Sequence, residues 1–214
     1  TVPYAGATNQ CPEANISIGF CTIAQNGFRC DTATDYYRPS IAIGFCSCST
    51  SCNSLVVGIC SLATGNGATA FGWRACASGV TSQAFGGFTC ASGDSSTASG
   101  YNSWATGTNA SAFGRNSCAI GDNSSAAGYM ARACDDDSSA FGHRACAVGC
   151  NDIAIGIRAC TTPYAGATNK CPETNISIGF CTIAQNGFRC DDSTDYYLPS
   201  ISIGACTCST SCGS

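Results

Sequence analysis

Every seventh residue from Gly58 to Gly128 is glycine, and the series continues at Gly142, Gly149 and Gly156. In the wider register, which begins at Gly44, only Ser51 and Asp135 depart from it. Two residues before almost every glycine stands alanine, as at Ala63, Ala70, Ala77, Ala84 and Ala91. The residue four before is nearly always Ser, Ala or Thr, so the unit reads small-x-Ala-x-Gly-x-x. A coiled coil needs large apolar residues at two core positions of each heptad, and these are missing. Glycine inside a helix costs roughly 1 kcal/mol each time, so a helix carrying one per heptad is excluded. Collagen needs glycine at every third residue. What remains is a strand: small-x-Ala-x-Gly alternates with period two. The two residues that follow suit a corner, and Asn102, Asn109, Asn116 and Asn123 share one slot there. Asparagine tolerates the left-handed backbone that tight corners demand.

Alternate heptads differ. The residue before glycine is mostly large in one set (Ile43, Val57, Phe71, Phe85, Phe113, Phe141, Ile155) and mostly small in the other (Thr64, Ser78, Ser92, Thr106). The coil therefore has fourteen residues and two strands, and residues 41–160 are predicted to form eight to nine rungs of an all-β parallel solenoid, stacked about 4.8 Å apart. The side-chain sizes suggest pairing across an interior, Phe71 against Ser78 and Phe85 against Ser92. On that reading the variable residues face inward and the Ala/Gly face is free for close contact with another chain. Gln83, Trp104 and Arg132 fit poorly inside. The opposite orientation places a Phe ladder outside, where it has to serve as an oligomer interface.

A second period is 160 residues long. Residues 1–54 recur as 161–214 with about four positions in five identical, and the run from Asn15 to Asp31 returns unchanged at Asn175. Three regions result: an irregular cysteine-containing insert or cap over 1–40, the solenoid over 41–160, and the start of a second copy over 161–214. A chain that stops a third of the way into a second copy is expected to be a window on a longer tandem polymer. Opening at Thr1 without methionine, it is expected to be a mature form or a fragment.

The segments SQAFGGF, ASAFGRN, SCAIGDN, ACAVGCN and DIAIGIR resemble the S-x-A-[VIF]-G repeats in the heads of trimeric autotransporter adhesins. That resemblance covers about residues 41–160. It implies a left-handed parallel β-roll with fourteen residues per coil and three chains packed side by side. Such heads are poor in cysteine, unlike this chain.

The cysteines follow the same register. There are 20 of them, an even number in the range of disulfide scaffolds, which points to an extracellular or otherwise oxidising location. Cys48, Cys76, Cys90, Cys118, Cys146 and Cys160 differ by multiples of fourteen and form one column, interrupted by Leu62, Trp104 and Arg132. Cys46 and Cys60 form another. Rung-to-rung disulfides are predicted for Cys76–Cys90, Cys146–Cys160 and Cys46–Cys60, each typically contributing about 2–4 kcal/mol. Cys118, Cys134 and Cys150 lack a stacked partner, so diagonal pairs or bonds to another subunit have to serve them. The connectivity of Cys11, Cys21 and Cys30 and of their copies Cys171, Cys181 and Cys190 does not follow from sequence.

Chemistry-bearing motifs are few. Cys46, Cys48 and Cys52 give C-x-C-x3-C without an accompanying His, which favours disulfides over a soft-metal site. Asp135, Asp136 and Asp137 replace a glycine corner and are a weak Ca²⁺ candidate against a solvated bulge. His143 is the single histidine and occupies a corner slot, so no catalytic residue, enzyme activity or cofactor is expected. Asn15, Asn109, Asn123 and Asn175 begin N-x-S sequons and are glycosylation candidates. Tyr36, Tyr37, Tyr196 and Tyr197 are contact aromatics or pack the insert on the roll.

A net charge of −4, with Lys170 as the one lysine and no basic cluster, excludes nucleic-acid binding by phosphate neutralisation. No apolar run of about 18 residues spans a bilayer. The expected function is a secreted structural protein forming a disulfide-stabilised extracellular fibre or cell-surface appendage, partnered by copies of itself. The alternative is an adhesin or viral receptor-binding head, trimeric and directed at a host or cell surface. Ice binding is a minor third reading. It needs a regular Thr column, and the slots read Thr69, Gln83, Thr97, Ser111, Ser125 and Ser139.

Overall fold

The computed structural model describes residues 15–25, 39–162, 174–185 and 199–210. Among these there is no helix; strands of three to five residues alternate with strands of two or three. The chain divides into two compact units, Thr1–Ala105 and Thr106–Ser214.

In the first unit the longer strands are Ile16–Phe20, Ile41–Phe45, Leu55–Ile59, Thr69–Trp73, Gln83–Gly87 and Thr97–Tyr101. They pair in that order, all parallel and in register, to form one sheet. The short strands Ile23–Ala24, Cys48–Ser49, Leu62–Ala63, Cys76–Ala77, Cys90–Ala91 and Trp104–Ala105 form a second. The second unit repeats the plan. Its longer strands run from Ser111–Arg115 to Ile201–Ala205 and its short ones from Cys118–Ala119 to Cys208–Ser209. Each unit is thus a parallel β-solenoid with a fourteen-residue coil.

Hydrogen bonds run from rung to rung. Leu62 N donates to Ala75 O at 2.8 Å and Cys76 N to Thr89 O at 2.8 Å. The corners take the left-handed conformation at every turn: φ is 52° at Asn102, 55° at Asn109, 57° at Asn116 and 55° at Asn123, as the shared Asn slot predicts. Less tolerant residues adopt the same angle, including Phe88 at 56° and Arg74 at 55°. Two kinds of glycine keep the coils apart by one backbone only. Gly58 has φ +147°, and an added Cβ is driven into the Gly72 carbonyl; at Gly65 the carbonyl of Gly79 stands in the way.

The interior is the reverse of the favoured sequence reading. Ala70, Ala77, Ala84, Ala91, Ala98 and Ala105 are completely buried, as are Ala112, Ala119, Ala133 and Ala140. The variable residues point outward: Phe113 is 46% exposed and Trp73 50%. The physical reason is the narrowness of the coil. Two strands of one fourteen-residue turn leave a thin gap between the sheets, filled mostly by Ala, Ser and Thr; among the described residues the largest completely buried side chains are Val56 and Asn175. The apparent size matching of Phe71 with Ser78 is incidental, since Phe71 stacks along its own column on Phe85, centroids 5.7 Å apart. Serines and threonines complete the core. The hydroxyls of Ser49 and Ser54 lie 2.5 Å apart, those of Ser177 and Thr182 2.7 Å apart, and Ser61 Oγ donates to Gly72 O at 2.8 Å.

A second difference lies in 1–40. Residues 16–24, expected to be part of an irregular insert, form a regular coil whose Ile16, Ile18 and Phe20 pair with Ile41, Ile43 and Phe45. Its copy, Ile176–Phe180 with Ile183–Gln185, does the same in the second unit. The glycine count misses both because Gly19 and Gly44 are not a multiple of seven apart. Tyr36, Tyr37, Tyr196 and Tyr197, and Cys11, Cys30, Cys171 and Cys190, lie outside the described residues.

Candidate interaction surface and thiol ladders

The outward residues of the longer strands build an apolar surface on each unit. In the first unit one column runs Ile18, Ile43, Val57, Phe71 and Phe85 in register, and a second runs Phe20, Phe45, Ile59 and Trp73. Ile18 is 57% exposed and Phe20 66%. Phe20 stacks on Phe45 along its column at 5.3 Å, and the corner residue Phe88 meets Trp73 edge-on at 4.6 Å. In the second unit Phe113, Phe141, Ile155 and Ile203 are exposed on the equivalent column, and Ile157 and Phe180 are exposed as well. A soluble monomer rarely shows contiguous apolar ladders of this kind. Charge is sparse beside them. Arg74 lies over the Phe88 ring at 5.5 Å and Arg115 over Tyr129 at 5.9 Å. His143, exposed as expected, stacks on Tyr129 at 5.1 Å.

The shorter strands carry the thiols on their outer side. Cys76 and Cys90 are register partners, as are Cys146 and Cys160, and both pairs stand thiol against thiol as free cysteines. Cys46 touches both Cys21 and Cys60 at a corner where all three have φ between 51° and 53°. All three predicted pairs are therefore side by side. The structure adds a diagonal contact that the fourteen-residue register does not reveal, Cys134 against Cys146. Cys118 has Arg132 as its register neighbour. Cys52 and Cys150, by contrast, are buried and disulfide-bonded. This removes Cys52 from a C-x-C-x3-C metal site and gives Cys150 the partner that its position in the register does not supply.

Thiol contact splits the titration of a pair. Cys90 donates to the Cys76 sulfur, which brings Cys76 down to about 7 against burial, while the same bond holds Cys90 protonated. Cys146 likewise donates to Cys160 and lowers it.

The acidic corner serves the backbone. Asp135 Oδ1 accepts the N–H of Asp136 at 3.0 Å, and Asp136 Oδ1 accepts that of Asp122 at 2.8 Å. Asp122 in turn accepts from Thr108 N at 2.7 Å, and Asp94 from Val80 N at 2.8 Å. These carboxylates pin one corner to the next. Among the described residues no group of three His, Cys, Asp or Glu is arranged to hold a metal ion. Of the sequon residues, Asn109 and Asn123 are exposed and hydrogen-bonded to each other at 3.2 Å. Asn15 is half-buried. Asn175 is fully buried, its Oδ1 accepting Ser200 N at 3.3 Å, and does not face an attaching enzyme in the folded chain.

Asp152 has no sequence-level signal beyond standing in a column otherwise filled by Ser, Ala or Asn. It is completely buried, accepts Asn175 N at 2.7 Å and Gly149 N at 2.8 Å, and its carboxyl is pushed up by burial against those bonds.

Residues 53–75, 91–117 and 119–145 match the family model described as the YadA head domain repeat. The matched segments make up about a third of the chain. Within residues 53–145 these segments are similar to the head repeats of trimeric autotransporter adhesins. No curated protein matches it.

Proposed function

We propose that this chain is a surface-exposed, self-associating solenoid head of adhesin type, in which the apolar outer face of the longer strands packs against other copies. One observation carries the reading: two columns of large apolar side chains stand outside a core of alanine and serine. In that core the protein has placed its smallest side chains, and its largest ones are left for a partner. The head repeats at 53–145 support three copies as the number. Fold and repeat both favour binding or scaffolding over catalysis. An extracellular, cell-surface location accords with both and with the cysteine usage.

Tandem extension into a fibre is a second reading, favoured by the junction between repeat copies. Ile153, in the last coil of the first copy, pairs directly with Ile176, in the first described coil of the second. Cys160 pairs with Ile183 on the other sheet. The stack passes from one 160-residue copy to the next without a break, so a longer array continues the same sheets. Rung-to-rung disulfides at Cys76–Cys90, Cys146–Cys160 and Cys46–Cys60 staple it. The ice-binding reading gains nothing, because the column Thr69–Gln83–Thr97 is mixed and is preceded in register by Ile16, Ile41 and Leu55.

Negative-stain microscopy of the native material tests the proposal. Multi-chain particles are expected, and single chains at all concentrations contradict it.

A further inference from the structure

The cysteine contacts differ in number from place to place. Cys76 and Cys90 form a ladder of two, flanked in register by Leu62 and Trp104. Cys21, Cys46 and Cys60 form a ladder of three with Cys46 in the middle. Cys134, Cys146 and Cys160 form another, with Cys146 in the middle. A disulfide joins two sulfurs, so a ladder of two closes completely. A ladder of three closes one bond and leaves one sulfur over. The corner trio is exposed and the other trio half-exposed, so the remaining sulfur meets solvent.

We infer that each three-cysteine ladder is a site of mixed-disulfide formation, holding one internal rung-to-rung bond and capturing one thiol or disulfide of another molecule. The middle cysteine makes the site exchangeable. It bonds to either neighbour, and the neighbour set free is the one that attacks an incoming disulfide. In the second ladder the contact from Cys146 lowers the Cys160 thiol, which favours the attacking thiolate at that end.

The chemistry balances with an ordinary disulfide as oxidant. A ladder thiolate attacks the incoming S–S bond; a protein–ligand disulfide forms, and the released ligand thiolate takes the proton. The middle thiol then attacks that mixed disulfide, forming the internal bond and expelling a second ligand thiol. The third cysteine attacks another disulfide and keeps half of it. For oxidised glutathione, two molecules are consumed per ladder, three reduced glutathiones leave, and one stays attached.

Reduced full-length chain incubated with excess oxidised glutathione and mapped by mass spectrometry without reduction tests this. One glutathione and one internal disulfide are expected at each three-cysteine ladder, and an internal bond without glutathione at Cys76/Cys90. Cys46→Ser removes the central thiol and leaves Cys21 and Cys60 out of contact. The count at that ladder is then expected to rise from one glutathione to two, whereas Cys60→Ser drops it to none. Cys146→Ser and Cys160→Ser are the corresponding variants of the other ladder. Three glutathiones or none at the wild-type ladders overturn the inference, as does an unchanged count in Cys46→Ser. So does closure of Cys118–Cys134 together with Cys146–Cys160. A parallel oxidation by diamide without glutathione identifies the source. Covalent dimers joined at these ladders point to another copy, and thiols that only glutathione titrates point to a small partner. Neither result depends on whether the apolar face assembles.

Discussion

Ile153 and Ile176 are register partners on neighbouring parallel strands, although the 160-residue unit starts again between them. Ile153 N donates to Asn175 O at 2.8 Å, and Cys160 N donates to Thr182 O at the same distance. The junction is bonded like the middle of a repeat. Amide exchange at Ile153 and Cys160 is therefore expected to be as slow as at Thr69 and Cys76. Exchange faster by two orders of magnitude at the junction contradicts a continuous stack.

The same junction buries Asp152, whose carboxyl is raised from its ordinary value of 3.8 chiefly by desolvation. A raised acid titrates first in the unfolded chain. Its destabilisation is absent below pH 3.8, grows as pH rises toward the folded pKa, and is complete above it. Asp152→Asn removes this slope and keeps one acceptor for Asn175 N, as Asn15 does for Ser40 N at 2.9 Å. Thermal melts from pH 3 to 7 are expected to differ less with pH in the variant than in the wild type.

Around Ala84 the interior is lined by alanine: its register partners are Ala70 and Ala98, both completely buried. Ala84→Leu overpacks a site with no free space and is expected to cost about 3 kcal/mol or more, lowering Tm by many degrees. Phe85→Ala, on the neighbouring outward position, is expected to cost the isolated chain less than about 1.5 kcal/mol. The reverse order of Tm losses contradicts the alanine core.

Legibility followed periodicity. The seven-residue glycine spacing reveals the strand, and the alternation of neighbours reveals the fourteen-residue coil, because both are imposed by the backbone. The cysteine columns follow directly, since stacking in register needs only counting. Periodicity is silent on which alternate residues face in: Ala84 and Phe85 alternate identically either way, and only the room inside decides. The coil of Ile16–Ala24 is hidden by the long segment before Ile41, although NISIGFC and SIAIGFC carry the same pattern. The Cys134–Cys146 contact runs diagonally, twelve residues apart rather than fourteen, so a column count does not find it.

Thiol order within a pair is set by which sulfur receives the hydrogen bond. In the reduced protein Cys76 is expected to react with iodoacetamide ahead of Cys90, with a midpoint near pH 7. The lowered pKa of Cys76 means its thiolate is populated well below the ordinary value of 9.0. Peptide mapping after short alkylation pulses reads this. Equal labelling of the two, or a Cys76 midpoint near 9, contradicts the contact.

The outward ladders of Ile18, Phe20 and Trp73 in one unit and of Phe113, Phe141 and Ile203 in the other are the reason to expect company. Light scattering coupled to size exclusion, with internal disulfides intact and intermolecular ones blocked, measures that directly. A mass of three chains of 21.6 kDa is expected, falling toward one chain when Ile18 and Phe113 are both replaced by Glu. A wild-type protein that remains a single chain at high concentration contradicts the account.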